Sequence, residues 1–294
     1  MQLHFECLAE ARCEVGESPV WDGRENRLYW SDNESSEIHA VDLPDKRRQM
    51  WRMPDRIGSL GLIEDGRLLV ASGRAVHVFD PANGRSERFA EVPLSDGVDK
   101  LNDGKVGPDG AFWVGSMAQK EPDRRAVASL YRITPDGRVE EKIRGGIKVS
   151  NGLAWSADAS LMFHSDSRGP WIDVWDFDAI SGAISNSRRI ASPDWDTGVP
   201  DGAATDLAGH YWSAGFSAQR LNLFTADGAL VGSVAMPAAP TMPCFGGEDM
   251  KTLFVTTLRA HIGPELLAKY PLTGSVFMAR TEVAGVPVKR FPLS

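Results

Sequence analysis

Four residues with side-chain oxygens recur at one register of this 294-residue chain: Glu17, Asn102, Asn151 and Asp201. Asn102, Asn151 and Asp201 each lie eight residues before a turn residue, Gly110, Ala159 and Gly209, and Glu17 lies six before Gly23. The same count of eight reaches Gly58 from Gly66 and Met242 from Met250. Glycine follows closely in three of the four, as NDG, NG and DG, which lets backbone and side chain crowd together. Taken alone, Asn151 before Gly152 reads as a tight turn, since both residues tolerate positive φ. Taken together, oxygens delivered from separate segments to one point describe a site for a divalent cation, Ca²⁺, Mg²⁺, Mn²⁺ or Zn²⁺. Two carboxylates brought together without a cation repel, raising one pKa, so a bound ion also resolves an electrostatic problem.

The elements that must position these residues are strands. Short apolar runs such as RLYW, RLLVAS, AFWVGSM, SLYRI, HYWSAG and TLFVTT recur between Gly, Asp and Pro turn signals, and helical periodicity is almost absent. The turn residues Gly23, Gly66, Gly110, Ala159, Gly209 and Met250 are separated by 43, 44, 49, 50 and 41 residues. Six units of this period predict an all-β, six-bladed β-propeller with four-stranded antiparallel blades, forming one domain over residues 1–294. The first repeat begins with its inner strand near residue 17, which leaves LHFECLAEAR as a spare N-terminal strand that completes the last blade and closes the ring. In such a ring the first strand of each blade lines the central channel, so residues equivalent by repeat meet near the axis.

Composition narrows the function. Hydrophobic residues make up 42% and charged residues 24%, the mix of a folded soluble protein. A formal net charge of -8 and no basic run longer than KRR argue against a nucleic-acid partner. Cys7, Cys13 and Cys244 are odd in number and form no C-x-x-C pair, which fits a reducing cytoplasm. No apolar stretch reaches the roughly 18 residues of a membrane span, so neither a membrane partner nor a leader is expected. G-x-S-x-G, H-E-x-x-H and P-loop patterns are absent.

The segments GESPVWD (16–22), LNDGKVGPDGAFWVGSM (101–117), SNGLAWSADASLMFHSDS (150–167), PDGAATDLAGHYWSA (200–214) and CFGGEDMKTLFVTT (244–257) span nearly the whole chain. In order and content they resemble the senescence marker protein 30 (regucalcin), gluconolactonase and sugar lactonase family. The resemblance implies a six-bladed propeller that hydrolyses sugar-acid lactones with one divalent cation in the channel. It implies Glu17, Asn151 and Asp201 as metal ligands, Asp201 also as general base, and Asn102 as a neighbour touching substrate or a water beside the ion. Many relatives carry Arg two residues before the NDG asparagine to bind substrate, and this chain has Lys100 there. Lysine keeps the charge and loses the forked donor geometry, and the other reading of Lys100 is a solvated rim residue.

A lactone is a cyclic ester, so the expected reaction needs carbonyl polarisation, delivery of water and stabilisation of an oxyanion. A phosphotriesterase-type hydrolase and a calcium-binding, regucalcin-like protein without catalysis are the alternatives on the same scaffold. The expected partner is a small sugar lactone and the expected assembly a monomer or weak homodimer. His39, His77 and His210 read as surface or packing residues, His164 as structural though near a loop, and Asp166 as organising a blade corner. Trp21, Trp113, Trp155 and Trp212, beside the repeat turns, read as packing between blades. The loops 118–128 and 258–274 are candidates for substrate selection, the first as a lid and the second with a short helix in GPELLAKY.

Overall fold

The computed structural model describes residues 2–120, 124–260 and 262–293. Among them the chain forms six four-stranded antiparallel sheets, five built from consecutive strands and the sixth in which Glu6–Ala9 pairs with Val276–Arg280. The predicted ring of six blades, with the N-terminal strand finishing the last, is therefore what the chain adopts. Cys7 opposite Phe277 fixes the register of that closure. With both ends in one sheet the last blade is complete and the ring is closed.

The inner strands are Gly16–Asp22, Ile57–Leu62, Val98–Val106, Ser150–Trp155, Pro200–Thr205 and Pro240–Gly246. Ile57–Leu62 and Ser150–Trp155 are buried along their whole length, whereas outer strands such as Arg85–Glu91 are mostly exposed. Sequence explains the gradient: small residues crowd the axis, as in IGSLGL, and charged ones populate the rim, as in RSERFAE. A Cβ on Gly58 would come within 2.5 Å of the Leu101 carbonyl, so blade two can approach blade three only with glycine there.

Between blades the core is aromatic. Trp113, Trp155 and Phe177 pack edge to face with centroids 5.8–6.1 Å apart, Trp212 meets Phe245 at 5.6 Å, and Trp21 stacks on Phe254 at 5.5 Å. The four tryptophans beside the turns thus pack as the sequence suggests, whereas Trp195 is 62% exposed. Left-handed backbone falls on Gly66, Gly110, Ala159, Gly209 and Met250, the expected turn residues. In the first blade it falls on Asn26 instead of Gly23, because that turn is longer. The short helix of the 258–274 loop is Pro264–Lys269. His261, and residues 121–123 of the loop read as a lid, lie outside the described residues.

Candidate functional site

Each axial residue sits where its inner strand is bulged. Register shifts fall between Glu17 and Val20, Leu101 and Gly104, Asn151 and Ala154, and Pro200 and Ala203. A bulge places two residues opposite one and re-aims a side chain, which is how a strand can point Asn151 along the channel axis. Asn151 and Gly152 are therefore strand residues, with Gly152 alone at positive φ, +66°. A Cβ there would lie 2.2 Å from the Tyr211 hydroxyl, so glycine serves both the bulge and the close approach.

The starts of two inner strands are clamped by aspartates in equivalent repeat positions. Asp32 accepts the backbone N–H groups of Glu14 at 2.9 Å and Val15 at 3.1 Å, just ahead of Glu17. Asp166 accepts those of Lys148 at 2.7 Å and Val149 at 3.0 Å, just ahead of Asn151. Asp166 holds the blade corner as expected, and Asp32 repeats the device without having been singled out in the sequence. Its signal was there, in the shared SD of SDN (31–33) and SDS (165–167).

Three of the four residues form a hydrogen-bonded chain. Asn102 Nδ2 donates to Asn151 Oδ1 at 3.1 Å and to the Ser150 carbonyl at 2.9 Å. Asn151 Nδ2 donates to Asp201 Oδ1 at 2.8 Å and to Ser167 Oγ at 2.6 Å. Glu17 joins electrostatically: burial raises its pKa well above the carboxylate range, and the charges of Asp201 and Asp103 add to this. Asp201 is raised in the same way, by burial first and then by Asp103. Among the described residues neither Glu17 nor Asp201 takes part in an ion pair.

Lys100 is buried and its Nζ donates to the carbonyls of Ile57 at 3.0 Å and Leu101 at 3.1 Å and to Asn102 Oδ1 at 3.4 Å. Burial brings its pKa down to about 8. The ammonium is thus no solvated rim group; in this conformation it anchors Asn102 and ties blade three to blade two. Two residues that the sequence reading passed over complete the electrostatics. Asp103 is buried, accepts the Leu153 N–H at 3.2 Å through Oδ2, and leaves Oδ1 without a partner. Lys105, also buried, donates to the Ala203 carbonyl at 2.7 Å, and its charge moderates the rise that burial imposes on Asp103. Strand alternation in NDGK could have suggested both, because bulged strands bring neighbouring positions into one channel.

His164 is fully buried, with Nε2 2.8 Å from Ser150 Oγ, and burial lowers its pKa to about 4, so it stays neutral behind the site. His39 is buried too and stacks on Trp30 at 5.2 Å. At the other end of the channel, where the inner strands finish, Val106, Trp155, Thr205 and Phe245 line a largely apolar cavity of about 450 Å³. It holds none of the four axial residues.

The donor set fits a divalent cation. Among the described residues no three His, Cys, Asp or Glu side chains gather closely enough to hold an ion. The set therefore needs an amide oxygen beside the carboxylates of Glu17 and Asp201, and Asn151, which here turns Nδ2 to Asp201, would give it with its amide turned over. Mixed carboxylate and amide oxygens suit hard cations. Two interacting carboxylates, Glu17 buried and Asp201 partly exposed, with no ion-pair partner among the described residues are the arrangement such an ion would compensate.

Known proteins resemble this chain along nearly its whole length. The family described as SMP-30/Gluconolactonase/LRE-like region matches residues 15–259. The chain is 36% identical to a 6-deoxy-6-sulfogluconolactonase of Pseudomonas putida, over 97% of either chain. It is 30% identical to regucalcin of Danio rerio, over 99% of this chain and 97% of that one. A solved calcium-binding regucalcin of Agrobacterium tumefaciens superposes with a TM-score of 0.89 at 25% identity, covering 100% of this chain and 98% of that one.

Proposed function

The chain belongs to the SMP-30/Gluconolactonase/LRE-like family, and from that premise we propose that it hydrolyses a sugar-acid lactone to the aldonic acid, with a divalent cation held by Glu17, Asn151 and Asp201. One observation carries the proposal: the buried carboxyl of Glu17, the partly exposed one of Asp201 and two amides gather at one end of the channel, and among the described residues neither acid forms an ion pair. The Pseudomonas relative, by its name, acts on a sugar-acid lactone, which supports that substrate class.

When bound, the cation would supply Lewis-acid polarisation of the lactone carbonyl. Asp201 is partly exposed while Glu17 is buried, so Asp201 is the carboxylate that can meet water and take its proton as general base. Asn102, oriented by Lys100, gives its amide protons to the Ser150 carbonyl and to Asn151 Oδ1, so its part is to hold the Asn151 amide in place. Water adds to the carbonyl carbon, the bond to the ring oxygen breaks, and that oxygen leaves as a hydroxyl carrying the proton from Asp201. Hydroxyl-bearing substrates suit the polar mouth made by Asn102, Asn151 and Ser167.

The test is a pH-stat assay of the cation-loaded protein with a panel of aldonolactones and one organophosphate. Acid release from at least one aldonolactone, lost on chelation, is the expected result. Turnover of the organophosphate alone would move the reading to a phosphotriesterase-type hydrolase, and turnover of neither would leave a binding protein.

A further inference from the structure

The channel has a second end, and its chemistry differs from that of the first. There the inner strands finish, and Val106, Trp155, Thr205 and Phe245 stand around the cavity of about 450 Å³. Asp201 and Thr205 share one strand, so at about 3.3 Å per residue the cavity wall lies roughly 13 Å along it from the candidate cation site. The last segment of the chain crosses this end. Val286 N–H donates to the Thr205 carbonyl of blade five at 2.9 Å and Phe291 N–H to the Leu62 carbonyl of blade two at 2.7 Å. Between those anchors the exposed residues Pro287, Val288 and Lys289 form one wall of the cavity. A space of this volume, walled by anchored elements and reached from solvent beside that segment, has the dimensions of a small-molecule site.

One buried charge belongs to this wall. Lys105 is 6% exposed, and its ammonium has a single acceptor, the Ala203 carbonyl at 2.7 Å. Lys100, equally buried on the same strand, donates to three. An ammonium carries three donors, so Lys105 keeps two that nothing among the described residues takes up. No acid answers its charge either. Among the described residues Lys105 forms no ion pair, and Asp103, two residues back on the strand, accepts the Leu153 N–H at 3.2 Å. In the cavity wall, burial pushes the Cys244 thiol up to about 11, which leaves it neutral. Asp158 is exposed and accepts from Ser156 and Ser160 at 2.6–3.1 Å. Trp155, of the same wall, has a buried Nε1 without a partner. Buried donors left without acceptors cost free energy that a ligand oxygen recovers.

The rest of the wall sets the kind of ligand. Val106, Pro108, Pro243, Phe245 and Val286 are apolar, so they leave the hydroxyls of a sugar acid unsatisfied, and the substrate or product of the other end does not suit this one. One ammonium balances one negative charge, and the two oxygens of a carboxylate match its two spare protons. We propose that this end of the channel is a second ligand site, which takes a small carboxylic acid with an apolar body, the carboxylate on Lys105 and the body between Trp155 and Phe245. The site stands independently of the lactonase reading.

The probe is 4-iodobenzoate, with 4-iodobenzamide as its uncharged counterpart and gluconate as a polar acid. Each is titrated by calorimetry into the cation-loaded protein and into the variants Glu17→Gln and Lys105→Met, with circular dichroism to verify folding. We expect 4-iodobenzoate to bind at one site at least about tenfold more tightly than the amide or gluconate, as a charge-assisted hydrogen bond allows. Its affinity should be unchanged in Glu17→Gln and at least about tenfold lower in Lys105→Met. A crystal of the wild-type protein with 4-iodobenzoate gives a readout that does not depend on how Lys105→Met folds: an anomalous iodine peak between Trp155 and Phe245. Equal affinity for acid and amide, or unchanged affinity in Lys105→Met, overturns the inference and leaves Lys105 as a strut between blades three and five. Affinity lost in Glu17→Gln, or an iodine peak at the other end of the channel, also overturns it and assigns the acid to the cation site. So does the absence of both binding and a peak. None of these outcomes touches the lactonase reading, which the aldonolactone assay decides.

Discussion

At the residue scale the account turns on how burial and charge divide labour among similar groups. Glu17 and Asp201 are both pushed toward the protonated form by burial, and charge adds to it, Asp201 and Asp103 acting on Glu17 and Asp103 on Asp201. Asp201→Asn and Glu17→Gln should each reduce lactone hydrolysis to background and abolish divalent-cation binding, measured by pH-stat and by titration calorimetry, with circular dichroism unchanged. Activity retained in either variant would remove that residue from the site. His164 gives a second prediction that needs no cation. Its pKa of about 4 in the folded protein lies below the ordinary 6.5, so the unfolded chain binds a proton that the folded one refuses. Its contribution to stability is complete above about pH 6.5 and is lost as pH falls toward 4, amounting to roughly 3 kcal/mol. The difference between wild type and His164→Gln in denaturant unfolding, followed from neutral pH to about pH 4, should show that loss in the wild type alone.

At the element scale the bulged inner strand is the working part. Positive φ at Gly152, and the Asp166 clamp on Lys148 and Val149, together set where Asn151 points. Asp166→Ala would leave those two N–H groups unpaired, at a cost of about 1–3 kcal/mol each where burial is complete. We expect a lower Tm and at least a tenfold fall in kcat, because Asn151 and Ser167 lose their shared corner; wild-type kcat would assign the clamp to folding alone. Strand order, blade number and the axial register were all legible in the sequence, because the repeat places turn glycines and axial oxygens at nearly constant separation. The bulges were not legible. An Asn-Gly pair is compatible with a hairpin turn and with a bulge, and only packing against Tyr211 and Ser165 decides between them. The setting of Lys100 was illegible for a similar reason: sequence shows a charged residue beside a site but not the carbonyls of Ile57 and Leu101 to which it donates, and these overturn only the rim alternative. Asp103 and Lys105 escaped notice because their partners come from other blades, Leu153 and Ala203.

At the scale of the whole molecule, six blades hold carboxyl groups at the axis, Glu17, Asp103 and Asp201, whose ionisation burial and mutual repulsion oppose. The folded protein keeps protons on Glu17 and Asp201 that the unfolded chain releases near its ordinary values of 4.5 and 3.8. Stability of the metal-free protein should therefore fall as pH climbs from those values through the raised ones of the folded state. A divalent cation displaces the protons and recovers the loss, so the rise in Tm on adding Ca²⁺ or Mn²⁺ should be larger near pH 8 than near pH 5, as scanning calorimetry can show. Ring closure by Glu6–Ala9 completes the last blade, so an outermost strand is also a condition for the chemistry at the axis. The most direct measurement is anomalous scattering from a crystal of the protein grown with Mn²⁺. We predict one strong peak at the channel end with oxygens of Glu17, Asn151 and Asp201 each within roughly 2.0–2.6 Å, the range for hard cations and oxygen ligands. A channel without a peak, or an ion that omits two of those three side chains, would contradict the account.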